Sequence, residues 1–235
     1  MDGGTELYHL PGFHEPFSAI SHLLGAVAFL IQGLMLLGRG RGDRTRMVYL
    51  GIYAGACVLL MSMSGVYHMM VRGGVAHRVM ERLDHAAIFV LIAGTFTPTL
   101  GILFRGWLRW GQLSLIWTAA VVGITLKTIF FDNLVEWLGL SFYFTLGWFG
   151  SVSAVFLVRR HGFVFIKPLL WGGIAYSVGG IVELLRWPMV IPRVIDAHGV
   201  FHVAVLIGAL FHWRFIWQFA TGEVACRPRR AYDLP

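Results

Sequence analysis

Charge is what this sequence has least of. Asp, Glu, Lys and Arg make up 13% of its 235 residues, 57% are hydrophobic, and the mean hydropathy is +0.70. Soluble domains carry about 25% charged residues, so this composition cannot cover a water-facing surface, and an ordinary soluble domain is excluded. Cysteine is nearly absent: Cys57 lies within an apolar run and Cys226 in a basic tail. That leaves neither a disulfide framework nor a thiolate cluster, and any metal must be held by nitrogen and oxygen ligands. Internal repeats, low-complexity tracts and long linkers are missing too, and every connection fits the short loops of one compact bundle. The start is acidic (Asp2, Glu6, Glu15) and no small-residue cleavage site follows. The first apolar run is therefore expected to stay in place as a helix and not to act as a cleaved signal.

Long apolar runs fill the space that charge leaves. Crossing the hydrocarbon core takes about 20 mostly apolar residues per helix. Seven such runs occur at approximately 17–38, 47–70, 83–104, 113–131, 137–157, 168–187 and 198–219, separated by polar or Gly/Pro-bearing breaks. The expected fold class is all-α, a seven-transmembrane helix bundle forming a single integral membrane domain over residues 1–235. Pro16 precedes the first span, Pro168 is expected to open the sixth at a first-turn position, and Pro188 to end it near Trp187. Trp107, Trp110, Trp137 and Trp187 near span ends read as interfacial anchors.

The formal net charge of +7 would suggest nucleic acid as a partner of a soluble protein. Here the basic residues cluster in loops beside the spans, where orientation and contact with membrane lipids account for them, and no nucleic-acid partner is expected. The two sides differ: the N-terminal side carries 5 Lys and Arg and the opposite side 13. Cytoplasmic loops hold the excess, which predicts an N-terminus outside and a C-terminus in the cytoplasm of the cell inner or plasma membrane.

Polar groups inside spans must face a partner, a cavity or a metal. They are few: Ser64 and His68 at the end of span two, Asp84 and His85 at the start of span three, His198 and His202 at the start of span seven, and His22 early in span one. Crossing parity alone puts all of them at one membrane face, which the predicted orientation makes the extracytoplasmic one. His198 and His202 are four apart, which sets both imidazoles on one helix face about 6 Å apart, a spacing that suits two ligands of one metal. Ser64 and His68 repeat that spacing. Three neutral imidazoles plus a water form a known catalytic Zn2+ arrangement, in which the ion lowers the pKa of the water.

Gly199, Val200 and Phe201 separate the paired histidines, so the Glu that acts as general base in an HExxH helix is absent. Asp84 is the nearest replacement. A lone histidine in a bundle is more often hydrogen-bonded than metallated, and a pair four apart arises easily in a chain with 10 histidines. His68, Asp84 and Ser64 on the same side strengthen the metal reading. His85 points about 100° away from Asp84 around the helix and is a weaker ligand, while His212 lies about 15 Å along the axis from His202 and cannot share the site. Glu183 and Arg186 read as an intrahelical pair, and Lys127 as a snorkelling lysine.

Four ordered motifs also carry a resemblance. The run from Glu15 through His22 to Gly25, the run Ser64 to His68, the run Leu83-Asp84 to Pro98, and His198 to His202 resemble those of hemolysin III proteins, which belong with the progestin and adiponectin receptors and more remotely with alkaline ceramidases. The resemblance covers roughly residues 15–215. It implies that His68, His198 and His202 bind zinc, that Asp84 holds or activates the zinc-bound water, and that Ser64 supports the site. In the ceramidase-like branch it implies hydrolysis of a lipid amide, with the Ser hydroxyl helping to stabilise the oxyanion. Glu15 and His22 match the first motif, where hydrogen bonding that fixes span one is preferred to ligation.

Three functions follow as expectations. The first is a zinc-dependent hydrolase of a lipid amide or ester, its acyl chains entering from the bilayer. The second is a receptor or lipid-binding protein for a lipid amide or fatty acid, with structural zinc. The third, membrane lysis, ranks last because nothing resembles a pore-forming segment.

Overall fold

In the computed structural model, residues 10–133 and 135–224 are described, and Asp2, Glu6, Cys226, Arg227, Arg229 and Arg230 lie outside them. Among the described residues there is no strand, only two isolated bridges. Eight α-helices follow in order: α1 Pro16–Arg39, α2 Arg44–Met69, α3 Val75–Leu103, α4 Gly106–Ile129, α5 Glu136–Trp148, α6 Gly150–His161, α7 Phe163–Leu185 and α8 Ala197–Trp217. Because α5 and α6 run on through Trp137–His161, the described residues hold 7 helical stretches long and apolar enough to cross a membrane.

Local chemistry sets several helix ends. Pro16 occupies the first turn of α1, where its missing N–H costs nothing. The Asp43 carboxylate accepts from Arg46 N at 3.0 Å and that of Asp196 from Gly199 N at 2.9 Å, capping α2 and α8. Pro168 does not open the sixth span as the sequence suggests. It lies inside α7, which starts at Phe163, because the apolar stretch Phe163–Ile166 ahead of Lys167 is already helical. Likewise α3 starts at Val75, ahead of its apolar window. Its first turns bear Arg78, Glu81 and Arg82, polar residues that suit an exposed helix rising out of the apolar zone.

Burial is arranged as in lipid. Leu24 and Leu34, on α1, are 66% and 61% exposed, while the interior holds Tyr53, Met61, Phe89 and Leu100. Helix α3 is central, with 67% of its apolar window buried. Its threonines return their hydroxyls to their own helix, Thr95 to Leu91 O at 2.8 Å and Thr97 to Ala93 O at 2.9 Å, so α3 offers its neighbours a largely satisfied surface. Helices α7 and α8 interlock through two glycines. A Cβ on Gly172 would run into the His212 ring, and one on Gly208 would lie 2.9 Å from the Tyr176 ring. Each helix thus receives, at a glycine, the aromatic ring of the other. Trp107, Trp110, Trp137 and Trp187 are all exposed, as interfacial anchors must be.

Candidate metal centre

His68 ends α2, and His198 and His202 occupy the first turns of α8. The ligand-competent atoms of these three lie within 4.8 Å of one another. His198 Nε2 is 3.1 Å from His68 Nε2 and 2.9 Å from His202 Nε2. Imidazole nitrogens on one tetrahedral zinc, each bound at about 2.0–2.1 Å, sit about 3.4 Å apart, so the observed spacing is a few tenths of an ångström tighter.

The opposite ring nitrogens explain the convergence. Glu15 Oε2 lies 2.7 Å from His68 Nδ1, and Glu183 Oε1 lies 3.1 Å from His198 Nδ1. With Nδ1–H donating to a carboxylate, each Nε2 presents its lone pair to the cluster. Lone pairs meeting at about 3 Å repel unless a cation lies among them. The donor set therefore fits a divalent ion of zinc's preferences, with neutral imidazoles in front and carboxylates behind.

Glu15 holds His68 twice, since its backbone N–H also donates to His68 O at 2.9 Å. Its other oxygen accepts from Arg72 at 2.6 Å. Burial alone would push the Glu15 carboxyl up, but the hydrogen bond from His68 and the Arg72 guanidinium outweigh it and bring the group down to about 2. Glu15 is thus a fixed anion that ties the start of α1 to the end of α2, the role the sequence assigns it.

Asp84 and Ser64 are both buried, and the Ser64 hydroxyl hydrogen-bonds the Asp84 carboxylate. Asp84 stands outside the three-histidine group. His22 is buried and stacks on His202, ring centroids 3.8 Å apart and planes 16° off parallel. It packs against the cluster through that stack. His85 turns away, its Nδ1 2.8 Å from Glu81 O. His212 bonds Leu169 O at 3.2 Å through Nε2, far from the cluster. Lys127 is buried, with its Nζ 4.7 Å from the Phe131 ring centroid.

Sequence reasoning missed Glu183 as a partner of His198. Parity puts the end of span six on the metal side, and that signal was available.

Beside the cluster begins a cavity of about 220 Å³, lined by α3, α5, α6, α7 and α8 and by Leu60 of α2. Ile88, one turn beyond Asp84, and Phe201, next to His202, line its near end; Thr99 and His212 line its far end. The eleven helical steps of α3 from Ile88 to Thr99 make it about 16 Å long. Tyr143, also on its wall, donates to His85 O at 3.2 Å.

The family model described as Haemolysin-III related matches residues 13–213. The chain is 34% identical over 200 residues to Hemolysin-3 of Bacillus cereus, covering 83% of this chain and 86% of that one. It is 25% identical to the human Monocyte to macrophage differentiation factor, covering 80% and 77% respectively. Identity to the Adiponectin receptor protein of Drosophila melanogaster is 24%, over 92% of this chain and 55% of the relative.

Proposed function

This chain belongs to the Haemolysin-III related family, and from that premise we propose that it is a zinc-dependent membrane hydrolase of a lipid amide or ester. The observation that carries the reading is the convergence of three imidazole Nε2 atoms, two of them backed by carboxylates; a long apolar cavity lined by Phe201, the neighbour of His202, lies beside them. His68, His198 and His202 would hold the ion, which supplies Lewis acidity and a water of lowered pKa when bound. Asp84 would be the residue that accepts a proton at its carboxylate and returns it to the leaving group. Ser64 donates to the Asp84 carboxylate and orients it; once Asp84 is protonated and no longer accepts, the Ser64 hydroxyl would be free to donate to the developing oxyanion. The cavity keeps the acyl chain dry and its carbonyl at the cluster. The whole chain acts as one seven-helix domain. Its N-terminus is outside and its metal site near the extracytoplasmic face, on the evidence of the Lys and Arg bias.

Metal analysis of tag-free protein beside the His198→Ala/His202→Ala variant tests the metal. About one zinc per chain, lost in the variant, is expected, and a folded metal-free wild type overturns the reading. Hydrolysis of a ceramide-like amide by the zinc-loaded protein tests turnover. The second reading is a receptor or lipid-binding protein with structural zinc, favoured by the relative named as an adiponectin receptor. It predicts lipid binding with zinc bound and no product.

A further inference from the structure

We propose that the membrane face opposite the histidine cluster holds an anionic phospholipid, its phosphate taken by Arg109 and Arg160 where both meet the C-terminus of α3. The proposal does not depend on what the histidine cluster does.

Two cations from different helices converge there. Arg109 of α4 donates through Nε to Phe104 O at 2.8 Å, and Arg160 near the end of α6 donates to Leu103 O at 3.3 Å. The two carbonyls belong to consecutive residues, whose Cα atoms are about 3.8 Å apart, so both guanidinium groups are held at one end of one helix. A second contact fixes the approach of α4 and α6: Ser153 Oγ donates to Gln112 Oε1 at 2.5 Å. Gln112 shares a face of α4 with Arg109, and Ser153 a face of α6 with Arg160.

Capping α3 does not use up this charge. A helix C-terminus carries about half a negative charge, so two guanidinium groups leave about one and a half positive charges over. Each has also given only one of its five N–H donors. Arg105 and Arg159, both exposed, add to the excess. No Asp or Glu occurs in residues 85–131 or 137–182. The acids on this face among the described residues are Asp43, which pairs with Arg46, and Glu223 beyond α8. The counter-charge must therefore come from outside the chain, and basic sites between spans take it from anionic lipid headgroups.

The neighbouring surface suits a lipid better than a soluble anion. Beside Arg109 the exposed side of α4 carries a shallow groove lined by Trp107, Trp110, Gly111 and Leu115. Trp107 is 85% exposed, yet its ring lies over Gly111, where a Cβ would come 3.1 Å from it. The Trp110 ring centroid is 6.0 Å from Arg109 Cζ. Cations at the rim followed by an apolar, indole-edged trough match the order of groups in a phospholipid, phosphate first and acyl chain after.

Phosphatidylglycerol and phosphatidylcholine of the same chains are the probes, offered in equal amounts to the full chain in neutral detergent and read by native mass spectrometry. One phosphatidylglycerol per chain is expected to stay bound with roughly ten- to hundredfold preference, the worth of a charge-assisted hydrogen bond. Arg109→Gln/Arg160→Gln should abolish the preference. Arg41→Gln/Arg44→Gln, which removes the same charge from the same face between α1 and α2, should keep it. Arg109→Lys/Arg160→Lys leaves positive charge at the end of α3 but loses the guanidinium fork; it should keep the wild-type unfolding temperature and reduce the preference, which decides the matter should the Gln variant fail to fold. No preference in the wild type, or equal loss in the Arg41→Gln/Arg44→Gln control, overturns the proposal. Release of the lipid by excess glycerol 3-phosphate overturns it too, since the site would then be one for free phosphate esters.

Discussion

Glu183 of α7 and His198 of α8 meet at 3.1 Å, carboxylate oxygen to imidazole Nδ1, across the loop that joins their helices. Glu15 makes the matching contact to His68 at 2.7 Å. Carboxylates behind metal-binding histidines fix the tautomer and raise ligand basicity, and losing one costs about 10- to 100-fold in metal affinity. Glu183→Gln and Glu15→Gln should each release zinc to a competing chelator at correspondingly lower chelator concentration, while the fold measured by circular dichroism is retained. Unchanged competition in both variants would show that the carboxylates do not act on the ligands.

Asp84 separates catalysis from ligation. As a general base its conversion to Asn should leave about one zinc per chain and lower amide hydrolysis by about a hundred- to ten-thousandfold. Loss of the metal itself in Asp84→Asn would make Asp84 a ligand and favour the structural role for zinc.

The α7–α8 interlock has a built-in control. A Cβ at Gly172 collides with the His212 ring, whereas one at Gly173 meets nothing within 4 Å. Gly172→Ala should destabilise by about 1–3 kcal/mol through overpacking. Gly173→Ala should be neutral or stabilising by up to about 1 kcal/mol, the helix-propensity gain of Ala over Gly. Thermal unfolding in detergent measures both, and equal shifts would remove the interlock as a packing determinant.

Orientation is open to direct labelling. Val71, 77% exposed in the loop between α2 and α3, should react from outside intact cells with an impermeant maleimide when changed to Cys in a Cys226→Ser background. Labelling only after the membrane is broken would reverse the predicted orientation and move the histidine cluster to the cytoplasmic face.

The seven spans were legible because about 20 apolar residues in a row have few other uses. Parity of crossing then brought His68, His198 and His202 to one face before any geometry was known. Hydropathy could not see what lies outside an apolar window: the exposed first turns of α3 or the turn and more of α7 ahead of Pro168. Nor could spacing within one helix find the partner of His198. Glu183 and Arg186, three apart, read as a pair, and Glu183 does feel the charge of Arg186. The connection 186–196 nonetheless folds back and sets Glu183 against α8 as well. Contacts made by a returning chain leave no periodic trace in sequence.

The histidines come from opposite ends of the chain, His68 from the second span and His198 and His202 from the seventh. During synthesis His68 enters the membrane long before its partners exist, so no partly made chain holds the three-nitrogen cluster. Any metal the cluster takes is therefore captured late in biogenesis, after insertion of α8, and a chain truncated before Ala197 could reach the membrane but would lack two of the three imidazoles.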